Sequence, residues 1–249
     1  MTQIILCGCA GKMGLAVQAA VSGREDCEIV AGVDITGKEQ SGFPVYTNIH
    51  QVTEPAQVLI DFSHPSALED ILVYCKARGI AAVLCTTGYS PEQVKTIREA
   101  AKTMPVLYSR NMSLGINLLI GLAQKAATVL GSDFDVEILE MHHNQKIDAP
   151  SGTALMIADA ISKVRTDDTK YTYDRHSQRK KREPNEIGIH AVRGGTIVGE
   201  HQVIFAGHHE TITLSHSAQS KELFAIGAVN AAVFIHGKGP GLYDMSDLI

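Results

Sequence analysis

Between residues 3 and 108, short β-forming runs alternate with helical patterns, and that rhythm leaves few folds open. Apolar runs at 3–8, 28–33, 58–62, 81–85 and 105–108 read as strands. The stretches 13–22, 65–78 and 90–103 read as helices, the second closed by Gly79 and the third opened by Ser90 with Gln93 in the capping-box position. Strands joined through helices pair in parallel and carry helices on both faces. The expected first domain is therefore α/β, a Rossmann-like doubly wound parallel sheet. Functional residues then collect at the C-terminal ends of its strands.

The first strand end carries Gly8-Cys9-Ala10-Gly11-Lys12-Met13-Gly14. Glycines permit a tight turn and let the backbone approach a pyrophosphate at a helix N-terminus. The spacing is one residue longer than the usual dinucleotide fingerprint, so by itself it fits any glycine-rich turn. The strand before it, the helix after it and Asp34 closing the next strand point to an adenosine ribose site. Two further strand ends, Cys85-Thr86-Thr87-Gly88 and Ser109-Arg110-Asn111-Met112-Ser113, put hydroxyls, an amide and small turns where a nicotinamide would lie.

Beyond an apolar helix at 114–130 the pattern changes. A strand through Val136, Ile138 and Leu139 delivers the most chemically loaded stretch of the chain, Glu140-Met-His-His-Asn-Gln-Lys-Ile-Asp-Ala-Pro-Ser-Gly-Thr-Ala154. In extended chain Glu140, His142, Asn144 and Lys146 would share a face and His143 would point away. Ser151 is placed to cap a helix at 154–163, and the N–H groups of Gly152 and Thr153 form an anion seat. A proton donor, an ammonium and a helix N-terminus together suit a small carboxylate that needs protons. A polar segment at 166–186, with Arg179-Lys180-Lys181-Arg182, reads as a solvated loop. Strands at 187–192, 196–205 and 211–216 follow without helices between them, which reads as a meander. An α+β domain with an open mixed sheet is expected, its bare face covered by oligomerisation. A final Ala-rich helix at 221–235 suits packing back on the first domain. The expected boundaries are a dinucleotide-binding domain at 1–112, a substrate-binding and oligomerisation domain at 113–217, and a returning C-terminal segment at 218–249.

With 45% hydrophobic and 20% charged residues the chain is an ordinary globular one. Its net charge of −5 gives no global attraction to nucleic acid or an anionic membrane. No apolar run is read as membrane-spanning, and no basic leader precedes the first strand. Five cysteines without a framework spacing argue for reduced thiols and a cytoplasmic setting. The pairs His142-His143 and His208-His209 are sequential, unlike the i, i+4 pairs of zinc hydrolases, so no metal site is expected. No serine sits in a G-x-S-x-G elbow.

Taken together, Gly8-x-x-Gly11-Lys-Met-Gly14, Thr86-Thr87-Gly88, Asn111-x-Ser113 and Glu140-x-His-His-x-x-Lys-x-Asp-Ala-Pro-Ser-Gly-Thr resemble the 4-hydroxy-tetrahydrodipicolinate reductase (dihydrodipicolinate reductase) family of the diaminopimelate branch of lysine biosynthesis. Arg193-x-Gly195, with Gly199 and His201 beyond, fits as well. The resemblance runs from residue 3 to the C-terminal helix. It implies NAD(P)H-dependent reduction of a small dicarboxylate in a homotetramer. It places Gly8, Cys9, Ala10, Gly11, Lys12 and Met13 at the cofactor pyrophosphate and Asp34 at the ribose. Cys85, Thr86, Thr87, Arg110, Asn111, Met112 and Ser113 would line the nicotinamide end. His142 is implied as general acid/base and Lys146 as proton donor, with His143, Ser151, Gly152 and Thr153 at the substrate carboxylates. Two departures stand out. Asp34 is followed by Ile35, where many members place a basic residue suited to a 2′-phosphate, so NADH is expected to serve at least as well as NADPH. Lys12 and the more distant Lys38 offer the nearby positive charge. Cys85 stands where glycine is common and is expected to bring a thiol near the cofactor. A related amino-acid dehydrogenase, such as an aspartate dehydrogenase, would share the architecture without the His-His-x-x-Lys run. A regulator that senses NAD(H) would leave Lys146 without a task.

Overall fold

A computed structural model describes residues 1–39 and 42–249. The chain divides into two compact units, one made of 1–114 with 221–249 and the other of 115–220.

The first unit holds β1 (Thr2–Cys7), α1 (Lys12–Val21), β2 (Cys27–Val33), β3 (Val45–Tyr46), β4 (Val58–Asp61), α2 (Leu68–Arg78), β5 (Ala81–Leu84), α3 (Pro91–Ala101) and β6 (Pro105–Tyr108). The returning segment adds α6 (Glu222–Ile235) and β12 (Gly241–Tyr243). All strands pair in parallel, in the order β12-β6-β5-β4-β1-β2-β3. The expected Rossmann-like sheet is thus the observed one, with two strands more than the sequence suggested. β3 is only two residues long, too short to carry a period. β12 follows a glycine-rich stretch whose composition reads as turn. The helix expected at 65–78 opens with a 3₁₀ turn, Pro65–Ala67, before α2 begins. Gly79 closes α2 in the left-handed region, and Ser90 and Gln93 form both bonds of the capping box at α3.

Continuous apolar runs bury both faces of the sheet. Ile4, Leu6, Ile60 and Val83 pack on one side with α1 and α6, and Ile5, Leu59, Leu84 and Val106 pack on the other with α2 and α3. Ala225, Ala228, Ala231 and Ala232 are all buried in α6. Their small side chains let the helix lie close to its neighbours. At Gly227 the approach is closest, because a Cβ there would collide with the Met112 carbonyl oxygen.

The second unit contains α4 (Leu114–Leu130, which begins at the last residue of the first unit), β7 (Asp135–His142), α5 (Gly152–Val164), β8 (Lys170–Thr172), β9 (Glu186–Arg193), β10 (Gly199–Ala206) and β11 (Thr211–Ala218). Its sheet is mixed, in the order β11-β10-β7-β9-β8. The meander expected of the last strands is corrected by this order. Only β10 and β11 form a hairpin; β7 lies between β9 and β10, parallel to the first and antiparallel to the second. β7 alternates buried and half-buried residues along its length, and as the central strand it finds backbone partners on both edges. One face carries Val136, Ile138, Ile189, Val203 and Phe205 against α4 and α5.

Two other expectations change. Residues 114–133 form 20 helical residues long and apolar enough to cross a membrane by length and composition, although no run was read as membrane-spanning. Leu119, Ala123 and Ala127 of this helix pack into the unit's core, while Leu118, Leu122 and Val129 are exposed. The basic segment is not simply a solvated loop. Arg182 donates to Asp135, Glu137 and the carbonyls of Val136 and Glu186, and Arg175 bridges Glu137 and Glu186. Asp135 and Glu137 lie on β7, between 38 and 47 residues away in sequence, which is why the tetrad alone gave no sign of them.

Gly227→Ala is expected to lower stability by about 1–3 kcal/mol through overpacking at α6, read as a reduced urea midpoint at unchanged m-value.

Candidate active site

In the first unit, β1 ends in a turn at Gly8 with φ of +76°, a region glycine adopts without steric cost. A Cβ at Gly8 would sit 2.6 Å from the Phe62 carbonyl oxygen, and one at Gly14 would collide with the carbonyls of Gly8 and Cys9. The turn therefore folds flat between two strand ends and against the start of α1. Gly8, Ala10, Gly11, Asp34 and Thr36 line a cleft of about 760 Å³. Asp34 accepts from the Ala10 N–H and from the Thr36 N–H and hydroxyl. Burial would raise its carboxyl, but these bonds outweigh burial and hold it below the usual range. A glycine turn without side chains, a helix N-terminus and an anionic acceptor at the next strand end fit the pyrophosphate and adenosine of a dinucleotide.

The other expected cofactor residues divide by what their side chains do. Cys9, Cys85 and Met112 are buried in the core, so only their backbone is offered to a ligand. Cys85 is a correction: its Sγ lies 3.8 Å from the Val83 carbonyl oxygen inside the core, and burial raises the thiol well above its ordinary value. Lys12, Thr87 and Arg110 are exposed, and Met13 packs partly against the core. Asn111 Oδ1 accepts from the Ser113 N–H at 2.9 Å, which shapes that turn. The Thr86 hydroxyl is committed to Asp61, at 2.8 Å from Oδ2. Asp61 is fully buried and also accepts from Ser63 and the Tyr89 hydroxyl. It joins the ends of β4 and β5, a role sequence reading missed. Its signal was the one used for Asp34, an acid ending an apolar strand.

In the second unit, Glu140 and His142 lie on the buried side of β7. Glu140 is fully buried and surrounded by donors. Arg193, opposite His142 on β9, meets it bidentately at 2.7 and 2.8 Å. The Ser151 N–H donates to Oε1 at 3.0 Å, and His142 Nδ1 lies 2.6 Å from Oε2. Glu140 and Arg193 are thus site residues the sequence left without a role. His201 faces Glu140 across the β7–β10 pair and packs edge-on against the His142 ring at 5.2 Å.

β7 ends at His142, so the expected common face of Glu140, His142, Asn144 and Lys146 holds only for the first two. Asn144 and Lys146 lie beyond the strand, where the Lys146 N–H bonds back to the His143 carbonyl. Lys146 Nζ is 2.8 Å from Asp148, whose side chain is 58% exposed. Ser151 caps α5 through the Ala154 N–H and meets His201 Nε2 at 3.1 Å. With its N–H also engaged by Glu140, its polar groups serve the fold. Gly152 faces open space at the start of α5, with Thr153 beside it in the first turn. His143 is half-buried.

Burial alone would raise the Glu140 carboxyl, yet the bonds from His142, Arg193 and Ser151 bring it down to about 2. Burial, and then His142, lowers His201 to about 4, so it is neutral in the fold. A depressed carboxylate stabilises the fold above its unfolded pKa, and that contribution is lost as pH falls toward 2. A depressed imidazole instead makes the unfolded chain bind more protons between 6.5 and 4, so stability falls with pH across that window. Acid titration of the native circular-dichroism signal is expected to show both declines. His201→Gln is expected to remove the upper one and Glu140→Gln to flatten the lower.

Comparison with known proteins places this geometry in context. The family description "Dihydrodipicolinate reductase, N-terminus" matches residues 2–112, and "Dihydrodipicolinate reductase, C-terminus" matches 115–249. A 4-hydroxy-tetrahydrodipicolinate reductase of Caldanaerobacter subterraneus subsp. tengcongensis is 53% identical over 100% of this chain and 98% of its own length. That of Clostridium novyi is 49% identical over the same shares. Among solved structures, a dipicolinate-bound dihydrodipicolinate reductase from Paenisporosarcina sp. TG-14 superposes with a TM-score of 0.83 at 27% identity, covering 100% of both chains. An aspartate dehydrogenase from Thermotoga maritima reaches 0.55 at 11% identity, covering 96% of this chain and 98% of that one, a likeness of fold alone. With both halves matched and full-length relatives at half identity, the chain belongs to the dihydrodipicolinate reductase family.

Proposed function

We propose that the protein reduces (2S,4S)-4-hydroxy-2,3,4,5-tetrahydrodipicolinate to tetrahydrodipicolinate with loss of water, using NADH or NADPH, in the diaminopimelate route to lysine. The observation that carries this reading is the second-unit cluster. An imidazole on a buried carboxylate, a lysine one turn away and the open start of α5 combine proton transfer with dianion binding. The cofactor supplies a hydride. The chain's own residues meet the negative charge that hydride addition creates. In this reading Lys146 delivers the proton and His142 acts as general acid/base beside it. The Lys146 side chain is 21% exposed, but its partner Asp148 is 58% exposed and free to move into water, so a substrate carboxylate competes for the ammonium. His143, Gly152 and Thr153 hold the carboxylates, as charge and helix N-terminus favour.

Asp34 in the cleft favours ribose hydroxyls over a 2′-phosphate, which like charge repels. NADH therefore serves at least as well as NADPH, with Lys12 giving partial compensation. The uncovered side of the second sheet, bearing Leu139, Met141 and Ile204, is the surface for a homotetramer. Free thiols without a disulfide favour a reducing, cytoplasmic setting, and the acidic balance suits neither nucleic acid nor an anionic membrane as a partner.

Oxidation of NADH in the presence of freshly prepared hydroxy-tetrahydrodipicolinate is the direct test, and its absence would remove this reading. His142→Ala and Lys146→Ala are each expected to lower kcat about 10²–10⁴-fold while cofactor Kd holds. Measured kcat/KM should be no lower for NADH than for NADPH; a marked NADPH advantage would refute the role given to Asp34.

A further inference from the structure

Glu140 has four hydrogen-bond partners, one for each of the roughly four lone-pair sites of a carboxylate. Arg193 fixes both oxygens, since Nη1 meets Oε2 and Nη2 meets Oε1. The guanidinium is itself held, donating to the carbonyls of Val192 and Asp148 at 2.7 Å. The Ser151 N–H adds a bond to Oε1 from the first turn of α5. None of these groups can accept a hydrogen bond, so the carboxylate can act only as an acceptor toward His142. The 2.6 Å contact between Oε2 and His142 Nδ1 therefore requires a proton on Nδ1. The other ring nitrogen is treated differently. Nε2 has no partner among the described residues, and it borders Gly199, where a Cβ would lie 3.2 Å from it. His201, on the same side of the sheet, is kept neutral by burial and adds no repelling charge.

We propose that Glu140, clamped by Arg193 and by the N–H of Ser151, is a positioning residue that fixes the proton of His142 on Nδ1 and reserves Nε2 for proton exchange with the ligand. The clamp keeps both nitrogens from changing places. It also ties the imidazole to the start of α5, because one carboxylate serves the ring and the helix N-terminus together. This inference rests on the reading of His142 as acid/base, but the tautomer is a property of the protein without substrate.

Substitution by glutamine gives a specific inversion. Arg193 Nη2 and the Ser151 N–H both donate to the Oε1 position, whereas Arg193 contributes only Nη1 to the Oε2 position. The amide oxygen of Glu140→Gln therefore settles at Oε1, so that the NH₂ group meets one opposing donor of the clamp instead of two. Its NH₂ group then faces His142 and donates to Nδ1, which drives the ring proton to Nε2. Two-bond ¹H–¹⁵N correlation spectra of ¹⁵N-labelled protein in mildly alkaline solution report the tautomer, with His142→Asn assigning the resonances. The native protein is expected to carry the proton on Nδ1 and Glu140→Gln to carry it on Nε2. With that inversion kcat should fall on the order of 10²–10⁴-fold, cofactor Kd staying fixed. Arg193→Lys, which keeps the carboxylate, is expected to retain the native tautomer, an outcome that a purely structural role for Glu140 does not demand. A native protein with its proton on Nε2 overturns the inference whether or not the variants fold. So does a glutamine variant that inverts the ring yet turns over normally. A native protein with the expected tautomer but no NADH oxidation would instead remove the proposed reaction and leave the positioning of His142 in place.

Discussion

A fully buried carboxylate organises the second unit. Glu140 is inaccessible to water, and an ion so placed survives only when its lone pairs are occupied. Here a guanidinium, an imidazole and a backbone N–H occupy them, and these come from β9, β7 and the start of α5. The same contacts that make the charge tolerable hold together elements far apart in sequence. Losing one partner would expose the others to the full cost of an unpaired buried charge, so the cluster behaves as a unit. Stability and chemistry are therefore not separable at this position.

The first unit repeats the device with a different purpose. Asp61 is equally buried at the end of β4, but its donors are hydroxyls and an N–H rather than cations. It ties the loop after β4 to the Thr86 turn after β5. Where Glu140 orders a proton-carrying ring, Asp61 orders loops at strand ends, and the glycine turn after β1 lies beside one of them through Phe62. Asp61 is the last residue of β4, and Glu140 lies two residues before the end of β7. In each unit, then, a buried carboxylate stands at or near the C-terminal end of a strand.

Much of this was visible from residue order. The parallel sheet followed from alternation, Gly79 and Ser90 marked helix ends, and the Ser151 cap on α5 was read from its own local chemistry. What escaped involved partners distant in the chain. The place of β7 between β9 and β10 depends on pairing across roughly fifty to seventy residues, which local patterning does not encode. Arg193 and Arg182 look alike as surface cations in the sequence, yet each is spent on acids of β7. The common face imagined for Glu140 through Lys146 failed because the strand stops at His142, and strand ends are the least legible feature of a period-two pattern. Cys85 misled for the same reason: its orientation is set by which face of β5 continues inward.

The cysteines carry one last consequence. All five are buried, and burial raises each thiol above its ordinary value, Cys9 to about 11. Since the thiolate is the reactive form, electrophiles and peroxides find almost nothing to attack while the fold is intact. Alkylation of this protein would thus time the transient breathing of its nucleotide-binding half, with each sulfur serving as a clock for the layer that covers it.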